Sequence, residues 1–422
     1  MTQADRILSA AETAQRYLDR VGKRDPHVHA FAHLAPERVL AEAANDDAHS
    51  RGKPLHGTMI AVKDVIDAAG WPTSCNSPIC PGLPVDKDAE VVARLKQAGA
   101  TIFGKTVTTE FAFTEPGPTT NPLDFTRTPG GSSSGSAAAV ADYQVDAALT
   151  TQTGGSTIRP AAFCGIFGYK PCFGRVPNLG LRLLSPSFDT IGLHARSVSQ
   201  LARVASVMEG RERPVESGMD IDFVHVQLPG VPDAEPYVTS AVSDAADRLR
   251  AKHLTVRELS LPEEFDAVNE AHRVVMSYEM TQTFAADMRD HQDLLSESIR
   301  SFIEIGYGQS DHDVSTARAT LANWRADLAA LFAPNEVMIM PATVAEAHVG
   351  LESTGSASFN RAWTALGTAA LTIPFGKGPA GMPLGLQIVD PHSLGDLVFP
   401  AAQQAATALD ATVMPMDKLD GR

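Results

Sequence analysis

Apolar positions in this chain gather into short, dense runs rather than long alternating ones. Met59-Ile60-Ala61-Val62-Lys63-Asp64-Val65-Ile66 is the clearest, an apolar and partly β-branched run broken by a single Lys–Asp pair. That pattern predicts a buried strand over 58–66. Val91, Val92, Leu95 and Ala98 recur at helical spacing, so a helix is predicted from Asp88, its N-cap, to Gly99 at its end. Ala100 to Phe103 then reads as a short strand, 136–141 as the start of a helix, and Val145 to Thr151 as another strand. Residues 5–50 are Ala- and Glu-rich and predict helices, broken near Asp25-Pro26 because proline removes a helix donor. Residues 200–345 read as helix-rich. The alternation of strands and helices favours an α/β architecture, and no repeat, low-complexity linker or domain boundary stands out.

Composition narrows the class of function. The chain has 422 residues, 44% hydrophobic and 20% charged, a soluble globular balance with ample material for a core. A net charge of −15 argues against attraction to nucleic acid or an anionic membrane through a general field. Cys75, Cys80, Cys164 and Cys172 form no C-x-x-C and no zinc-ligand spacing. With no secretory signal and no apolar span, they read as reduced thiols of a cytoplasmic protein. No metal site and no cofactor motif is expected.

Candidate chemistry lies in two glycine loops. One is Gly130-Gly131-Ser132-Ser133-Ser134-Gly135-Ser136, the other Thr153-Gly154-Gly155-Ser156. A serine hydroxyl needs a base to become a nucleophile. Lysine serves only when neutral, and burial in an apolar strand lowers its pKa. The position of Lys63 suits that role; it also suits a buried lysine neutralised by Asp64 or a distant carboxylate. Glycine backbones bring N–H groups close to a developing oxyanion, which makes Thr153, Gly154 and Gly155 candidate donors beside Ser156. Ser132 is placed to relay a proton, although such loops also serve as plain turns and caps.

Other patterns fail on context. Gly99-Ala100-Thr101-Ile102-Phe103-Gly104-Lys105-Thr106 matches the phosphate-loop letters, but a helix precedes it and its interior is apolar. Gly131 to Gly135 fits G-x-S-x-G, with Ser133 as nucleophile and Asp390 and His392 as late partners. Its lead-in, Pro122 to Pro129, is too polar and Pro-broken for the strand that motif requires.

Together the motifs resemble the amidase signature family over nearly the whole chain. They include Leu55-His56-Gly57 through Lys63-Asp64, Asp88-Ala89-Glu90-Val91-Val92, Pro129 through Ala137, Gly154-Gly155-Ser156-Thr157-Ile158-Arg159-Pro160-Ala161, Tyr169-Lys170-Pro171, Asp189-Thr190-Ile191-Gly192 and Gly381-Met382-Pro383-Leu384-Gly385-Leu386-Gln387. The resemblance implies a Ser–cis-Ser–Lys triad of Ser156, Ser132 and Lys63. It implies one α/β domain over 1–422, with a mixed sheet of about ten or eleven strands covered by helices on both sides. A helical N-terminal segment over 1–50, a catalytic core at about 55–200 and 335–415, and a variable substrate-shaping region at about 200–335 complete the expectation. The implied activity is hydrolysis of a small carboxylic amide through an acyl-enzyme. Carbamate or aryl-ester hydrolysis is the first alternative. The glutaminase-type A subunit of a tRNA-dependent amidotransferase is the second. The Thr151-Gln152-Thr153-Gly154-Gly155-Ser156 run resembles malonamidase-like members, although many relatives carry Asp at the place of Gln152 and Gly-x-Pro at the place of Gly367-Thr368-Ala369. Gly131, Ser133, Gln152 and Arg159 are candidate substrate contacts, Arg159 as a clamp for a carboxylate. The expected partner is a small amide or carbamate, with no nucleic acid or membrane, in a possible homodimer.

Overall fold

Two parallel strands at the heart of the sheet decide where the functional residues meet. β2 (Met59–Lys63) and β4 (Ala147–Gln152) pair with Ile60 opposite Ala147 and Val62 opposite Leu149, so their carboxyl ends finish side by side. Every residue of both strands is buried. The computed structural model describes residues 8–216, 220–231, 234–392 and 394–420. The other strands are β1 (Phe31–His33), β3 (Thr101–Thr106), β5 (Phe167–Lys170), β6 (Thr190–Ala195), β7 (Asp222–Gln227), β8 (Val256–Ser260), β9 (Glu336–Pro341), β10 (Ala369–Lys377) and β11 (Pro383–Asp390). They form a single 11-stranded mixed sheet in the order β1-β3-β2-β4-β6-β5-β10-β11-β9-β7-β8. Both ends of the sheet contain parallel pairs, and the middle from β4 through β9 is antiparallel.

Helices cover the sheet as the α/β expectation required. Ser134–Ala141 and Ile158–Cys164 pack together against its centre, while Val198–Glu209 and Val398–Ala408 pack together against β5, β6, β10 and β11. Ala267–Thr283, Glu297–Tyr307 and Asp311–Asp327 form a helical cluster in the middle of the chain. No helix among the described residues is long and apolar enough to cross a membrane.

Several local expectations are corrected. The helix Ala10–Val28 runs through Pro26 and ends at His29, whose left-handed backbone (φ 53°) turns the chain while its N–H reaches the Asp25 carbonyl. The Asp25 side chain takes the Ala30 N–H at 2.7 Å, so the chain leaves the helix straight into β1, a strand missed within the helical reading. Asp88 does not cap the helix Glu90–Gln97; its carboxylate binds Lys96 and the Ala69 N–H instead. The region read as helical also supplies β7 and β8, which extend one end of the sheet.

Candidate active site

Lys63 stands at the carboxyl end of β2, fully buried. Its Nζ lies 2.7 Å from Ser132 Oγ, 2.7 Å from Thr151 Oγ1 and 3.5 Å from the Thr151 carbonyl. No carboxylate pairs with it among the described residues. Asp64, its neighbour in sequence, is turned to Lys105, with which it forms a buried ion pair at 3.0 Å. Asp64 lies one residue past β2, in the turn that follows it, so its side chain leaves in another direction. Burial pushes the Lys63 amine well below its ordinary pKa; Asp189 pulls it up in part, and Arg159 adds to the lowering.

The serine loop reaches Lys63 from the other side. The Gly131–Ser132 peptide is cis. Gly130 takes a left-handed φ of 78°, and a Cβ there would come within 2.9 Å of Pro160, so only glycine fits this turn. Ser133, nominated by the G-x-S-x-G pattern, is fully buried and braces the loop to β4, its hydroxyl 3.3 Å from the Thr151 carbonyl. Asp390 accepts the backbone N–H groups of His392 and Leu397, while the His392 ring meets the Ala333 carbonyl; neither turns to Ser133.

Ser156 follows β4 and the glycine pair, and is 8% exposed. Its carbonyl accepts the Ser133 N–H at 3.4 Å, which ties the two serine loops together. The Ser156 hydroxyl makes no hydrogen bond among the described residues, and neither do the backbone N–H groups of Gly154, Gly155 and Ser156. The Thr153 N–H makes no hydrogen bond among the described residues either, while its hydroxyl donates to Asp189 at 2.5 Å. The buried Asp189 carboxyl is pushed up to about 6 by desolvation, against the pull of three hydrogen bonds.

The candidate substrate contacts divide. Gln152 is wholly buried and used by the protein itself. Its Oε1 accepts the N–H groups of Thr157 and Ile158, at 2.8 and 3.0 Å, and its Nε2 donates to Thr364 at 2.9 Å. It caps the helix that comes after the Thr153–Ser156 loop. Arg159 donates to the Gly131 carbonyl at 2.6 Å and to the Thr354 hydroxyl at 3.1 Å, and its buried Nε has no partner. No carboxylate pairs with it among the described residues, and burial beside Arg361 pushes its pKa down to about 10. Thr151 was missed as a contact of Lys63, although it opens the run quoted for the family resemblance. Trp363 is buried and donates to Met340 Sδ, Trp324 packs edge-on against Phe265, Phe302 packs on Phe113, and Tyr307 is exposed.

The chain is similar to known proteins in sequence and in fold. A relative from Chloroflexus aggregans, a glutamyl-tRNA(Gln) amidotransferase A subunit, is 41% identical over 281 residues. That match covers 60% of this chain and only 58% of the relative's length. The corresponding protein of Thermobifida fusca is 31% identical over 95% of this chain and 93% of its own length. Among solved structures, the peptide amidase of Stenotrophomonas maltophilia superposes with a TM-score of 0.80 at 27% identity, over 96% of this chain and 94% of that one. The sequence model of the family named Amidase matches residues 12–393, and the chain belongs to that family.

Proposed function

We propose that the chain is an amidase that hydrolyses the C–N bond of a small carboxylic amide, with Ser156 as nucleophile, Ser132 as relay and Lys63 as base. The observation that carries this reading is the setting of Lys63. A neutral amine has two N–H donors and one lone pair. Its three neighbours are a carbonyl that can only accept and two hydroxyls. Two donors directed at Thr151 leave the lone pair for the Ser132 O–H, the polarity a base requires.

Ser156 Oγ then attacks the amide carbonyl, and its proton passes to Ser132 as the Ser132 proton passes to Lys63. The open hydrogen bond between the two serines closes when substrate is seated, as catalytic contacts commonly do. The tetrahedral oxygen meets the unpartnered N–H groups of Gly154, Gly155 and Ser156. Lys63 returns the proton through Ser132 to the leaving nitrogen, and water resolves the acyl-enzyme by the same route. Gln152 holds the loop in shape rather than touching substrate.

Arg159 points to the substrate class. A buried cation with no anion is costly, and a carboxylate on the substrate would supply the missing charge and bind through a bidentate pair. This favours a monoamide of a short dicarboxylic acid, in keeping with the malonamidase-like resemblance. A cytoplasmic, self-associating enzyme is part of the same proposal. Hydrolysis of a succinic or malonic monoamide and of neutral butyramide tests it. Ser156→Ala abolishes turnover of both, a loss of several orders of magnitude. Arg159→Leu loses the acidic amide selectively; equal loss on both substrates removes the carboxylate role. Carbamates and aryl esters present the same carbonyl to the same three residues, so a panel including them ranks the first alternative. A second reading, the glutaminase component of an amidotransferase, is favoured by the names of the two relatives from Chloroflexus aggregans and Thermobifida fusca.

A further inference from the structure

Three successive carbonyls of the nucleophile loop are held from behind. The Thr153 carbonyl accepts from His272 Nε2 at 2.7 Å, the Gly154 carbonyl from the Thr364 hydroxyl at 2.7 Å, and the Gly155 carbonyl from the Arg159 backbone N–H at 3.0 Å. In a trans peptide the C=O and N–H point in opposite directions. Holding these three carbonyls therefore turns the N–H groups of Gly154, Gly155 and Ser156 to the other side of the loop, where they have no acceptor among the described residues.

His272 comes from the helix Ala267–Thr283, far from the serine loops in sequence. Its ring is buried and stacked on Phe188, with centroids 4.3 Å apart. Burial pushes its pKa down to about 3, so the ring is neutral and carries one N–H. A carbonyl can only accept, so that N–H is on Nε2, and Nδ1 is left buried without a partner. Asp189, next to Phe188, holds the Thr153 hydroxyl, so Thr153 is clamped at both its side chain and its carbonyl.

We propose that His272 is a positioning residue of the oxyanion site: by fixing the Thr153–Gly154 peptide, with Thr364 fixing the next one, it aims the Gly154 N–H at the oxygen that becomes negative during attack on the substrate. The inference rests on the reading of Ser156 as nucleophile. It assigns to the middle of the chain a share in transition-state stabilisation in addition to any shaping of the substrate pocket.

A fluorophosphonate probe tests both layers. Ser156 Oγ attacks phosphorus, a P–O bond forms, the P–F bond breaks, and fluoride leaves, while the hydroxyl proton passes through Ser132 to Lys63. The phosphoryl oxygen occupies the oxyanion site, so the second-order labelling rate reports on its donors. That rate and the melting temperature are compared for the wild type and for His272→Phe, His272→Gln, Thr364→Val and Ser156→Ala. His272→Phe keeps the ring stack but removes the donor, and its folded protein labels about 100-fold more slowly, the scale of losing one oxyanion donor. His272→Gln, with an amide N–H within reach of the same carbonyl, recovers most of the rate, and Thr364→Val is slowed. A purely structural role would lower the melting temperature and leave the labelling rate of the folded protein unchanged. Wild-type labelling of His272→Phe, or equal slowing of His272→Gln and His272→Phe, overturns the positioning role while Ser156→Ala stays unlabelled. Should His272→Phe fail to fold, wild-type labelling of Thr364→Val overturns it. Persistent labelling of Ser156→Ala overturns the nucleophile assignment itself.

Discussion

Asp64 and Lys63 are adjacent, yet they have opposite fates. One lysine of the site, Lys105, takes the carboxylate; the other is left among hydroxyls. A lysine whose folded pKa is depressed weakens the fold wherever the unfolded chain would hold the extra proton. Its penalty is largest below the folded pKa and fades as pH rises toward the ordinary lysine value of about 10.4. Replacing Lys63 by Met therefore abolishes amide turnover and raises the melting temperature at neutral pH, with the gain shrinking as pH rises. A melting point lowered at every pH would contradict this. In the wild type, turnover climbs as pH increases through the depressed pKa of Lys63, since only the free amine accepts a proton. The motifs singled out Ser156, Ser132 and Lys63 in the sequence, and the structure brings Lys63 against Ser132. Thr151 was not, because a threonine on a strand reads as an ordinary β-former until the register with β2 is known. Gln152 was legible as a departure from the family pattern, but whether it faced substrate or its own helix depended on contacts that no spacing encodes.

At the scale of elements, the loop that carries Ser156 is short and its shape is set by the helix beyond it. That helix, Ile158–Cys164, begins within two residues of Ser156, and Gln152 satisfies N–H groups at its start. Gln152→Leu leaves those donors unpaired in the interior, at about 1–3 kcal/mol each where no water replaces the bond. The urea midpoint falls accordingly, and turnover falls with it because the loop is released. An unchanged midpoint would show that the cap is dispensable. Buried strands such as β2 and β4 announced themselves as apolar runs. β1 escaped because three residues carry too little pattern, and Pro26 misled because the helix Ala10–Val28 runs through it despite the hydrogen bond that a proline removes. β8 is half-exposed at the sheet edge, so its polarity hid it among helices.

At the scale of the whole molecule, the sheet joins chemistry from distant parts of the chain. β2 and β4 bring Lys63 and Thr151 together, while the helical cluster packs His272 against the loop between them and Ser156. Periodicity alone reached only the α/β class. The eleven-stranded order rests on long-range pairings, and it was the family resemblance that anticipated a sheet of that size. The amidase reading predicts that the purified chain hydrolyses a short acidic monoamide unaided. A chain inert on such amides, which releases ammonia from glutamine only when amidotransferase partner subunits are added, would favour the glutaminase reading.

The claim beneath the proposed chemistry is that the amine at position 63 is uncharged in the working enzyme. Nitrogen NMR of the protein labelled at its lysine Nζ atoms, with the Lys63 resonance assigned by its loss in Lys63→Met, reads that state directly. The free-amine shift at neutral pH, moving to the ammonium shift only on acidification, is the expected result; an ammonium shift that persists until strongly alkaline pH would contradict it.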